Sequence, residues 1–99
     1  MTNYDKSIIV EMLKKEKFNY SDYYGFDHFW KEYGMYIISV DIDKDERGKY
    51  YITIDISYDE NDTTVHIEPT IFGDISAGSL KSIIHTYYFL IDEIYNAMK

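Results

Sequence analysis

Apolar and polar positions along the chain change period several times, and each change marks an element. Ile8, Ile9, Met12 and Leu13 recur at helical spacing and predict a first helix from about Tyr4 to Lys17, capped by Asn3, with Lys14, Lys15 and Lys17 at its negative end. From Met35 to Asp43 and from Tyr50 to Asp59 the period falls to two. Tyr36, Ile38, Val40 and Ile42 then share one face of a strand, and Tyr50, Ile52, Ile54, Ile56 and Tyr58 share one face of the next. Lys44 to Gly48 reads as the hairpin loop between them. Thr63 to Glu68 reads as a third, shorter strand after a turn at Glu60–Thr63, and Pro69 ends the ladder because it has no N–H to donate. Leu80, Ile83, Ile84, Tyr87, Ile91, Ile94 and Met98 form one stripe of a long C-terminal helix capped by Ser76 or Ser79.

Between the first helix and the first strand, residues 18–33 hold eight rings in 16 positions. Ser21 or Asp27 can cap a short helix there through Phe29, Trp30 and Tyr33, with Gly34 as its stop. So many rings exceed what one short segment can hide. Phe29 and Trp30 are expected in the core, and Tyr20, Tyr23 and Tyr24 are expected to offer rings to water or to a partner. The order of elements predicts an α+β fold. In it an N-terminal helix and a short aromatic helix accompany a three-stranded antiparallel meander, and the long C-terminal helix packs on one sheet face. Neither a repeat nor a linker divides residues 1–99, so a single domain is expected.

Composition narrows the function classes. The chain has 99 residues, 45% of them hydrophobic, one proline and no cysteine, which excludes disulfides and thiolate metal sites. No secretory h-region and no run long enough to span a membrane are present, so a cytoplasmic protein, in a bacterial host cell, is expected. The net charge is −8, and it is unevenly placed. Residues 41–68 carry nine acids and three bases, whereas residues 1–40 carry six and five and residues 69–99 carry three and two. Strand parity sorts these acids. Asp41, Asp43, Asp55, Asp59 and Glu68 fall opposite the apolar face, interleaved with Tyr51 and hydroxyl residues, while Asp45, Glu46, Glu60 and Asp62 belong to the loops and strand ends. No lysine or arginine occupies an outward position of these three strands. Pairing Val40 with Ile52 and Ile56 with Ile67 satisfies the parity and sets Asp55 against Glu68, a like-charged pair that costs up to roughly 1 kcal/mol.

Catalytic and cofactor motifs are missing. Asp41-Ile-Asp43-Lys-Asp45 begins like a calcium-binding loop, but Glu46 stands where glycine is needed and Ile52 where the closing glutamate is needed. His66-Ile-Glu68 resembles half of a zinc deaminase site whose cysteine half is absent. His28, His66 and His85 have no ligand spacing. Neither an enzyme nor a metal or other cofactor is therefore expected. Direct nucleic-acid binding is disfavoured too, because the one basic cluster, Lys14, Lys15 and Lys17, has Glu16 within it.

A one-sign carboxylate face suits a basic groove. In size, charge and order of elements the chain resembles the small phage-encoded acidic inhibitors, among them anti-CRISPR proteins and uracil-DNA glycosylase inhibitors. That resemblance implies a DNA-mimic inhibitor whose partner is a basic nuclease or another nucleic-acid-binding protein. The partner-binding residues expected here are Asp41, Asp43, Asp45, Glu46, Tyr51, Asp55, Asp59, Glu60, Asp62 and Glu68, with Tyr20, Tyr23 and Tyr24 as a second set. Two alternatives use the same chain differently: an immunity protein against a basic nuclease toxin, and a non-enzymatic interaction module that binds through residues 18–33.

Overall fold

The computed structural model describes residues 1–23, 25–60, 63–66 and 70–98, with side chains for 1–22, 25–58 and 70–98. The order is α1 (Asn3–Lys15), β1 (Asn19–Tyr23), β2 (Phe26–Tyr33), β3 (Tyr36–Lys44), β4 (Tyr50–Glu60), β5 (Thr63–His66), β6 (Thr70–Phe72) and α2 (Ala77–Ala97). All pairings are antiparallel. Across the sheet the order is β1-β2-β3-β4-β5, and β6 also pairs with β4, so β5 and β6 share the fifth position. The fold is α+β, with a wider sheet than the three strands expected.

The two added strands at the front come from the aromatic segment, which forms a hairpin rather than a short helix. Aromatic side chains favour the pleated, half-buried surface of a sheet. Tyr23 and Phe26 close the first turn with Gly25 at φ +86°. Tyr33 and Tyr36 close the next around Gly34 and Met35, with Gly34 at φ +63° in the first central position, as a type II′ hairpin requires. Gly34 is thus a hairpin residue and not a helix stop. A further strand, β6, follows Pro69, although proline was expected to end the ladder. Ser57 pairs with His66 and Ile54 with Thr70, so the register shifts by one residue between β5 and β6.

The core lies on one side of the sheet. Ile38, Val40 and Ile42 of β3 pair with Ile56, Ile54 and Ile52 of β4, and all six are buried together with Phe29 of β2. Ile9 and Leu13 of α1 and Leu80, Ile84 and Ile91 of α2 cover them. Each buried isoleucine contributes about 1.5–3 kcal/mol. The expected parity of β3 and β4 is therefore right, but the register is not. Val40 faces Ile54 rather than Ile52, and Asp41 faces Thr53. Asp45 sets the longer offset by closing a tight loop. Its carboxylate accepts from the N–H groups of Arg47 and Lys49 at 2.8 and 2.9 Å, and its own N–H donates to the Lys49 carbonyl. The expected pairs Ile56–Ile67 and Asp55–Glu68 involve residues outside those described.

Several other expectations need correction. Thr2, rather than Asn3, caps α1. Its hydroxyl accepts from the Asp5 N–H at 3.1 Å, and the Asp5 carboxylate accepts from the Thr2 N–H in return. Ile94 is 42% exposed and Tyr87 is half-buried, because the seam of α2 runs through Ile84, Tyr88, Ile91 and Tyr95 and leaves Ile94 about 100° to one side. Trp30 is half-buried on the helix-free side, since parity sends it opposite Phe29.

Two inner-face positions of β2 carry charges, and both are answered by helices. Lys31 donates to the Glu16 carbonyl at 2.7 Å, closing the end of α1, and to the Tyr88 hydroxyl at 3.0 Å. Asp27 meets Lys6 of α1 at 2.6 Å. At the other end of β2, the Tyr95 hydroxyl accepts from the Met35 N–H and lies against Gly34.

Two substitutions test this account in opposite directions. A Cβ at Gly34 would collide with the Tyr95 hydroxyl and ring, at a backbone angle that favours glycine. Gly34→Ala is therefore expected to cost about 2 kcal/mol in chemical denaturation. Lys17 ends α1 at φ +68°, where a side chain is disfavoured. Lys17→Gly is expected to stabilise by about 1 kcal/mol, and no gain on that substitution would contradict the assigned helix end.

Candidate functional site

Because both helices cover the same side, the other face of the sheet is open. Its residues follow from the ladders. One row across β1 to β4 reads Ser21, His28, Asp41 and Thr53. The next reads Asn19, Trp30, Ser39 and Asp55. Asp43 pairs with Tyr51 at one end, and Glu32, Ile37 and Ser57 lie at the other. Diagonal neighbours such as Asp41 and Asp55 stand roughly 7–8 Å apart. All three aspartates are half-buried, which holds their carboxylates close to the sheet surface.

Each carboxylate has a local setting. Asp41 lies against His28 Nδ1, in an ion pair whenever the imidazole is protonated. The His28 ring stacks on Trp30, with centroids 5.3 Å apart and planes 14° from parallel. Asp43 accepts from its neighbour's Lys44 N–H at 2.7 Å and, over 3.4 Å, from the Tyr51 hydroxyl. Partial burial pushes the Tyr51 hydroxyl above its ordinary pKa, and the charges of Asp43 and Asp45 add to that shift, so it remains a donor at neutral pH. Asp55 faces Ser39 across the β3–β4 ladder.

The expected site residues divide accordingly. Asp41, Asp43, Tyr51 and Asp55 are brought together on the open face. Asp45 and Glu46 lie in the β3–β4 loop at its end, where Asp45 is engaged in closing the loop. Asp59 and Glu60 end β4, paired with Thr64 and Thr63 of β5. Asp62, Glu68 and Tyr24 lie outside the described residues. Tyr23 ends β1. Tyr20 belongs to the opposite face, where its ring is 44% exposed and packs at 5.0 Å from Phe29.

His28, Trp30 and Glu32 join the open face from the segment expected to be helical. Alternation could have exposed them, but Asp27 and Lys31 break the apolar parity of β2. With these residues added, the described outward strand positions still contain no lysine or arginine. The face is not uniformly polar, since Trp30 and Ile37 are half-buried on it and Ile71 of β6 is 65% exposed. Among the described residues no group of three or more histidines, aspartates or glutamates is arranged to hold a metal ion, and no helix is long and apolar enough to cross a membrane.

A second polar cluster marks the β1 margin. Asp27 accepts from Lys6 and, at 2.7 Å, from the Tyr20 hydroxyl. Partial burial pushes the Asp27 carboxyl up, but these two hydrogen bonds and the Lys6 charge outweigh it and leave the pKa below the ordinary value. The bond to Asp27 raises Lys6 correspondingly. The sign of the linkage follows: a depressed carboxylate contributes stability above its unfolded pKa of about 3.9, and that contribution is lost as pH falls through the folded value. Thermal melts should therefore show the wild-type advantage over Asp27→Asn present at pH 7 and shrinking as the pH is lowered below about 3.9. An advantage unchanged at pH 2 would place the effect elsewhere.

No protein-family model matches the chain, and neither a curated protein nor a solved structure is significantly similar to it.

Proposed function

We propose that the open sheet face binds a basic groove that otherwise holds nucleic acid, on a nuclease or another DNA- or RNA-binding protein, and thereby inhibits it. The observation that carries this reading is the sorting of charge. Three aspartates lie on two neighbouring central strands, and no lysine or arginine occupies the described outward strand positions. Carboxylates fixed on a rigid sheet stand in for phosphates without the entropy loss of ordering a flexible acidic tail. Tyr51 and Trp30 supply contact area of the kind that concentrates binding energy, and the net charge of −8 steers a basic partner toward the chain.

The same physics serves a phage-encoded inhibitor of the anti-CRISPR type and an immunity protein against a basic nuclease toxin. The stacked Trp30 and His28 favour one element of a second reading, an interaction module built on residues 18–33, since they place part of that segment on the acidic face itself.

The test is affinity capture from host lysate after nucleic acid has been digested, with wild type and the D41N/D43N/D55N variant as baits. Wild type should retain a nucleic-acid-binding protein at low salt, and that protein's own nucleic acid should displace it. The variant keeps side-chain shape and one acceptor oxygen at each position while removing the charge. It should melt within about 1 kcal/mol of wild type and bind the captured protein at least roughly tenfold more slowly. Undiminished binding by the variant at low salt would remove the acidic face from the mechanism.

A further inference from the structure

The two edges of the sheet are built differently. The β5–β6 edge consists of strands of four and three residues, and the pairing shifts by one residue between them. Short strands and register shifts are how proteins blunt an edge against further pairing. β1 has neither device. Its ladder to β2 is regular from Asn19 to Tyr23, it holds no proline or lysine, and Asp22 is its one charge. Among the described residues, β2 is the one strand that pairs with β1, and no other main-chain group bonds to residues 19–23. The outer row of N–H and C=O groups is thus open, and the chemistry that satisfies such a row is an extended main chain.

A cleft adjoins this edge at Tyr20. It has a volume of about 470 Å³ and runs between one flank of α1 and the sheet at β1. Val10 and the Tyr20 ring supply apolar surface within it over the fully buried Phe29, Lys6, Ser7, Glu11 and Lys14 line the α1 side, and Tyr20 is held there by its bond to Asp27. In an added strand successive side chains alternate, so every second one would enter this cleft and the others would stand on the open-face side. We propose that β1 is completed by an extended segment of a partner protein, paired as a further strand, with apolar side chains in the cleft and basic ones on the open-face side. The basic character of that segment rests on the acidic-face reading of function, whereas the strand addition does not. A second copy of this chain fits the edge less well, because two molecules each at −8 repel.

The probe is the blocked peptide Lys-Val-Lys-Val-Lys-Val-Lys, compared with the same peptide methylated at every main-chain nitrogen. Methylation keeps charge and side chains but removes every N–H donor. Fluorescence anisotropy should show the parent peptide binding at least tenfold more tightly than the methylated one. The amide resonances of residues 19–23 should shift and gain exchange protection in the complex. Ser7→Trp, which fills the cleft from an exposed helix position, should weaken the parent peptide tenfold and leave the melting temperature unchanged. Equal binding of both peptides, abolished by D41N/D43N/D55N, would overturn strand addition and leave the acidic face standing. Binding unaffected by D41N/D43N/D55N but lost on methylation would uphold the edge and separate it from that face. No binding of the parent peptide at 1 mM would overturn the proposal. So would protection of residues 19–23 that rises with protein concentration alone, since it would make a second copy the occupant.

Discussion

The isoleucine ladder between β3 and β4 is the constraint on which the rest of the molecule depends. Ile38, Val40 and Ile42 face Ile56, Ile54 and Ile52, and every one of them points to the same side. A sheet with one apolar face needs a single cover, and α1 and α2 together provide it through Ile9, Leu13, Leu80, Ile84 and Ile91. The other side then carries no apolar core of its own, only the separate apolar side chains of Trp30, Ile37 and Ile71 among its described residues. The open face is a consequence of where the core had to be, and its aspartates lie outside the isoleucine ladder.

The helices do more than cover. Both charged inner positions of β2 are compensated from outside the sheet, Asp27 by Lys6 and Lys31 by the Glu16 carbonyl and the Tyr88 hydroxyl. Buried or half-buried charges are costly without such partners. These contacts tie β2 to both ends of the chain, and Tyr95 ties the β2–β3 turn to α2. The open face is thereby held rigid from behind, which is what a surface of fixed carboxylates requires.

This pattern also explains which features were legible in the sequence. β3 and β4 alternate cleanly, so their faces and the placement of Asp41, Asp43 and Asp55 could be read directly. Parity restricts register to even shifts but does not choose among them, and the choice fell to the Asp45 loop, a local hydrogen-bonding effect. β2 was unreadable as a strand because Asp27 and Lys31 interrupt its inner face, and their partners lie 15 to 57 residues away in sequence or on α1. The same interruption concealed His28 and Trp30 as members of the acidic face. On α2, several apolar residues compete for one seam, and the half-buried tyrosines Tyr88 and Tyr95 take the place that periodicity alone assigned to Ile94.

The central claim is that fixed carboxylates on the open face make the productive encounter with a basic partner. The most direct measurement is the association rate constant for the captured partner as a function of ionic strength. Screening shortens the Debye length from about 10 Å at 0.1 M to about 3 Å at 1 M. The account predicts a rate that falls at least tenfold over that range while the dissociation rate changes little. An association rate independent of salt would contradict it.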